Sequence, residues 1–192
     1  MENFAHVDEG GGPLPSGSRL YAMAAVLSSG NGAGLLRRGL RSALLPWQLH
    51  LHHYEESAKR RVELAHTIAE FDFSGAVVVS SATSNTRQEH ARARLLCWLL
   101  PRLQHLEGVD QVIIESRHGS DRHDRRTGNR LRQSHRITAT MRIDHVGKFG
   151  DERLWLADFL VGAYSAARLH DQPEPWEILT DSHVIDVVED PE

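Results

Sequence analysis

Several acids of this chain stand among neighbours that should exclude them. Asp158 lies in "LWLADFLVGAY", where every other residue from Leu154 to Val161 is apolar. A helix that apolar is buried on most sides, and an unpaired carboxylate inside it is costly or takes up a proton. A cation is one partner that offsets the cost, and Gly162, one turn on and on the same face, would leave room beside it. Glu115 closes the run "VIIE", at the carboxyl end of an expected strand, where open α/β sheets face their crevice; a salt bridge to Arg117 is the plainer use of it. Asp8 and Glu9 follow Asn3 to Val7, which read as the first strand, and precede "GGGP", whose glycines admit close approach. Hard divalent cations take oxygen ligands, and acid clusters of this kind commonly serve phosphoryl chemistry, with Mg²⁺ or Mn²⁺ clamping the attacking and leaving oxygens.

Histidine is the second reactive type, with 13 in the chain. "LHLHHYEE", residues 49–56, places His50 and His52 on one face of an expected strand, a spacing that can hold a metal. A His-apolar-His triplet also occurs in nucleases that form a covalent tyrosine–DNA link, with Tyr54 or Tyr164 as nucleophile here; Tyr164, however, sits in the apolar helix and reads as core. Glu55 and Glu56 are expected to open the next helix, where acids suit the N-terminal dipole. His118, His123, His135 and His145 read as surface residues. "EGGGP" and "GNGAG" lack the Lys-Ser/Thr of a phosphate-binding loop, and Ser80 and Ser81 carry no nucleophile-elbow pattern.

The elements that must position these residues follow from periodicity. "RLYAMAAVLSS" (19–29), "WQLHLHH" (47–53), "GAVVVSSA" (75–82), "VDQVIIES" (109–116) and "ITATMRIDHV" (137–146) read as strands. Residues 35–45, 55–71, Thr86 to Leu106 (with Pro101 as a kink), 121–133 and 153–168 read as helices, and the stretch after "QPEPW" as one or two short strands. Strands come first, then alternate with helices as in parallel crossovers. The expected fold is a single α/β domain, residues 1–170, with a mixed sheet and helices on both faces. Residues 171–192 would be an acidic extension adding a short strand.

With 192 residues, one cysteine (Cys97) and no apolar run of membrane-spanning length, the chain is expected to be soluble and cytoplasmic, with no disulfide and no cysteine-based zinc site. The net charge of −4 is uneven. Seven arginines between Arg117 and Arg136 face only Asp121 and Asp124, whereas residues 171–192 hold eight acids and no Lys or Arg. Arg117, Arg122, Arg125 and Arg126 are the candidates for contact with a nucleic-acid backbone. Against this, arginine is simply the default cation of a chain whose only lysines are Lys59 and Lys148. Asp121 reads as a helix cap and Asp124 as an accessory site residue.

The strand-then-"DEGG" opening, the strand ending "IIES" and the late helix "LWLADFLVGAY" together resemble the bacterial family catalogued as domain of unknown function 3800. The similarity spans residues 3 to 168. It implies a ribonuclease H-like fold in which Asp8, Glu115 and Asp158 are the catalytic metal ligands, with Glu9 beside them, His52 flanking the carboxylates and one of Glu55 and Glu56, with Glu56 the candidate, adding a fourth. Gly10 stands where that family usually has serine.

Two functions are therefore expected to compete. The first is a divalent-metal-dependent nuclease, or related phosphoryl-transfer enzyme, acting on RNA or DNA by metal-activated water. The second is a non-catalytic nucleic-acid-binding or protein-interaction domain with the same fold, which the acidic net charge and Gly10 favour.

Overall fold

The computed structural model describes residues 3–30, 32–82, 88–117, 119 and 121–189. Six strands form one mixed sheet: β1 (Asn3–Pro13), β2 (Arg19–Ser29), β3 (Ser74–Ala82), β4 (Gln111–Glu115), β5 (Arg142–Val146) and β6 (Ile185–Glu189), in the order β5-β4-β1-β2-β3-β6. β1, β2 and β3 are antiparallel neighbours, while β4 and β5 run parallel to β1, and β6 runs parallel to β3. The helices are α1 (Ala33–Ser42), α2 (Ala58–Ala69), α3 (Gln88–His105), α4 (Asp121–Gln133), α5 (Arg153–Leu169) and α6 (Glu174–Ser182).

β2 explains why the sheet has two covered faces. Every residue from Leu20 to Val26 is buried. Successive side chains point to opposite faces, so Leu20, Ala22, Ala24 and Val26 enter one core while Tyr21, Met23 and Ala25 enter the other. α5, with α1, α2 and α6, covers the first face; α3 and α4 cover the second. Pro101 lies inside α3; the start expected at Thr86 lies outside the described residues. Among the described residues no helix is long and apolar enough to cross a membrane.

The structure differs from the sequence reading in four places. β1 does not stop at Val7 but continues through the glycines to Pro13, paired with β2 throughout. Gly11 makes this possible: its φ is +136°, and a Cβ there would collide with the carbonyl oxygen of Leu20. Residues 47–53 form no strand; the segment crosses the α5 face as turns and bends ending in a 3-10 turn at His53–Glu55. Glu55 and Glu56 precede α2, whose N-cap is Ser57, its hydroxyl accepting from the Arg60 N–H. After Gln172 the chain forms α6 before β6. Pro173 and Pro175 sit at the helix start, where a missing N–H costs nothing. Leu179 of α6 is fully buried in the α5-side core and β6 joins the sheet, so residues 174–189 extend the same core.

Candidate active site

β1 and β4 lie side by side, with Val7 opposite Ile114. Asp8 and Glu115 come one residue further along each strand and so project from adjacent strands on the same face. That face is the α5 side. Val7 and Ile114 enter the core under α3, whereas Gly10, in phase with Asp8, lies against Val161 and Ser165 of α5. β4 ends at Glu115 while β1 runs on, which leaves a notch beside β1. A cavity of about 370 Å³ occupies it, lined by Asp8, Glu115 and Asp158, with His52, Arg117 and Lys148 also in its wall. The three expected acids, from two strands and one helix, thus border one space.

Their electrostatics are unfavourable as they stand. Asp8 is 7% exposed. Burial first, then the negative charges of Asp158 and Glu115 and a hydrogen bond with Glu115, raise its pKa well above the usual carboxylate range. Among the described residues neither Asp8 nor Asp158 forms an ion pair with Lys or Arg. Asp158 Oδ2 instead accepts the backbone N–H of His53 at 2.7 Å and lies 3.3 Å from His52 Nδ1. The hydrogen bond with Asp158 raises the His52 pKa, outweighing burial.

These carboxylates suit a hard divalent cation in kind: they are oxygen donors, mutually repelling, and bordering an open cavity. The spacing is looser than the donor set suggests. Among the described residues no group of three or more His, Cys, Asp or Glu side chains is gathered closely enough to hold one ion. Asp8 and Glu115 project from adjacent strands, and Asp158 is tied to the 47–55 segment through the His53 N–H.

Of the accessory candidates, His52 and Glu9 border the cavity, whereas Asp124 and Glu56 do not. Glu9, one residue after Asp8 on the strand, points to the opposite face, where Arg92, Arg117 and the Tyr21 hydroxyl hold it. Asp124 does not border the cavity. It is buried on the α3 side in a two-bond pair with Arg92 (Nε to Oδ1 2.8 Å, Nη2 to Oδ2 2.7 Å), and His145 Nε2 stands 3.0 Å away. Burial alone would raise the Asp124 pKa, but these bonds reverse that and bring it to about 2. His145, expected at the surface, has a buried side chain for this reason. Glu56 is buried against Gln48 Nε2 at 2.5 Å. Asp121 accepts from the Ser116 hydroxyl and the Arg117 N–H, tying α4 to the end of β4. Arg117 borders the cavity; Arg122, Arg125 and Arg126 are exposed on α4. His118 lies outside the described residues. Tyr164 is buried, donates to Glu189 at 3.1 Å and has its pKa raised to about 12, chiefly by burial, so it is poorly suited as a nucleophile.

Sequence reasoning missed Lys148, Arg19 and Gln88 in the cavity wall. Lys148 alone carried a signal, as one of two lysines in a chain that otherwise uses arginine. It also missed the reason for His53, whose fully buried ring fills the space above Gly162 and whose N–H grips Asp158.

No protein-family model and no curated protein sequence matches the chain. Among solved structures, it is similar to one reported as the complex of PCNA with RNase HII from Archaeoglobus fulgidus. The match has a TM-score of 0.53 at 15% identity and covers 93% of this chain and 87% of that one. The fold is ribonuclease H-like: a mixed six-stranded sheet in a single α/β domain.

Proposed function

We propose that the notch beside β1 is the active site of a divalent-metal-dependent phosphodiester hydrolase acting on nucleic acid, with Asp8, Glu115 and Asp158 as the residues that would hold Mg²⁺ or Mn²⁺. The observation that carries this reading is the buried Asp8 carboxyl held beside Asp158 and Glu115 at the wall of an open cavity, with no Lys or Arg ion-paired to Asp8 or Asp158 among the described residues. Structural acids elsewhere in this protein are handled differently, as the pairing of Asp124 with Arg92 illustrates. When bound, a divalent cation supplies positive charge against phosphate oxygens and makes water a stronger nucleophile at neutral pH.

The chain's own groups do the rest. Asp8, whose protonated form is favoured by burial and by the neighbouring acids, would release that proton to solvent when a cation binds. His52, its pKa raised by the hydrogen bond with Asp158, is placed to offer a proton to a departing oxygen. Lys148 and Arg117 face the same space and attract the phosphate backbone. Arg122, Arg125 and Arg126, exposed on α4, extend that attraction beyond the cavity. Membership of the domain of unknown function 3800 family and a cytoplasmic setting belong to the same proposal.

The test is cleavage of RNA, single-stranded DNA and duplex DNA with Mg²⁺ or Mn²⁺, run beside Asp158→Ala. Metal-dependent cleavage lost in that variant is expected; equal cleavage by both proteins would overturn the assignment. The looser spacing of the three acids favours a second reading, a domain that binds nucleic acid without hydrolysing it. Binding with no cleavage under either metal would decide for it.

A further inference from the structure

Beside the carboxylates, four rings stand in sequence along the α5 face: Phe149, His50, His52 and Tyr54. Neighbouring centroids are 5.1, 6.3 and 6.3 Å apart. Phe149 is 68% and Tyr54 47% exposed, at the two ends of the row. Three of the rings come from the irregular segment 47–55, which is pinned to the site through the bond from His53 to Asp158. The fourth comes from the β5–α5 connection, where Lys148 Nζ lies 3.5 Å from His50 Nε2. Two of the four, His52 and Tyr54, also border the cavity. The row is therefore an extension of the site, with a cation at its side and the acids at its end.

We infer that this row receives the bases of an unpaired nucleic-acid strand whose backbone then enters the cavity, so that the site takes single-stranded rather than duplex substrate. The inference rests on the phosphodiester reading of the cavity and adds the substrate class to it. Three features point to a single strand. Exposed aromatic rings bind bases through their flat faces, which a duplex keeps hidden in its stack. Neighbouring rings of the row meet tilted or edge to face, at 81°, 47° and 78°, so a base can stack only on one ring at a time, as in a strand drawn out of its stack. Lys148 provides a point charge for a phosphate alongside the rings, the pairing of cation and ring that single-strand grooves use.

The experiment measures binding apart from cleavage. Fluorescence anisotropy of the full chain in EDTA is recorded with labelled oligothymidine, oligouridine and a mixed-sequence duplex of equal length. Single strands should bind more tightly than the duplex. Tyr54→Ala and Phe149→Ala should each weaken single-strand binding roughly 5- to 100-fold, the range seen on removing one stacking ring. Both positions are exposed, and unchanged melting of the variants confirms folding. Preference for the duplex, no binding to any strand, or ring-independent binding would each overturn the inference even if cleavage is observed. Ring-dependent single-strand binding without metal-dependent cleavage upholds it and removes only the hydrolytic reading. The DNA and RNA arms report whether the row distinguishes the sugar.

Discussion

The imidazole of His53 sits where Gly162 has no side chain: a Cβ on Gly162 would overlap its Cγ, and would come within 2.7 Å of its Nδ1. Asp158, one helical turn earlier, accepts the His53 N–H, so α5 holds this residue by its backbone and its ring together. Gly162→Ala should therefore destabilise the protein. In an exposed helix interior the change would add about 1 kcal/mol of stability, but overpacking here should instead cost roughly 1–3 kcal/mol. Urea unfolding gives the sign directly.

Asp8→Asn should stabilise the metal-free protein by roughly 1 kcal/mol, because it removes a buried charge from beside two others while keeping the Oδ1 that accepts the Glu9 N–H. The same variant should lose any rise in Tm that Mg²⁺ or Mn²⁺ gives the parent chain. A group whose removal helps the fold but abolishes the metal response is present for the site. Destabilisation of the metal-free variant would instead place Asp8 among the structural acids.

Arg92→Met should cost about 3–5 kcal/mol, since it strands Asp124 and Glu9 as buried charges. The metal-induced shift in Tm should persist in a milder variant, Asp124→Asn, because Asp124 lies on the far side of the sheet. Loss of that shift in Asp124→Asn would show that this acid reaches the metal after all.

Acid sensitivity should show the cost of burying His53. Burial lowers its pKa from 6.5 to about 4, so between those values the unfolded chain binds the extra proton. The stabilising preference for the neutral ring is complete above pH 6.5 and is lost as pH falls through about 4, a difference of roughly 3 kcal/mol. Urea midpoints at intervals across that window should fall with pH in the parent and change less in His53→Gln.

Arg122, Arg125 and Arg126 replaced together by Gln should reduce the salt dependence of nucleic-acid binding, by a slope of about 1 for each arginine that meets a phosphate. An unchanged slope would make the basic run a solvated helix face.

The sequence was legible where chemistry conflicted with its surroundings. Asp158 stood out because its helix is apolar on all sides, and Glu115 because a buried run ends on it. That Asp8 meets Glu115 depends on β1 and β4 pairing across more than a hundred residues, which no local pattern encodes. Glu9 borders the cavity, but because β1 continues past Val7 its two-residue period turns the Glu9 side chain towards Arg92 and Arg117 on the other face. The alternation in residues 47–53 misled for a different reason. Leu51 and His53 are buried with half-exposed His52 between them, but Leu49 is exposed, and the buried pair packs on the α5 side rather than within a sheet.

Past Val7, β1 keeps β2 as its only partner strand among the described residues, and the cavity lies along the side that β4 has vacated. Over Glu9 to Gly11 that side offers peptide N–H and C=O groups in place of side chains. Whatever binds in the notch therefore meets part of the protein that alanine scanning cannot delete. Backbone ester or amide-to-proline replacements at these positions are what would reveal its share of the binding.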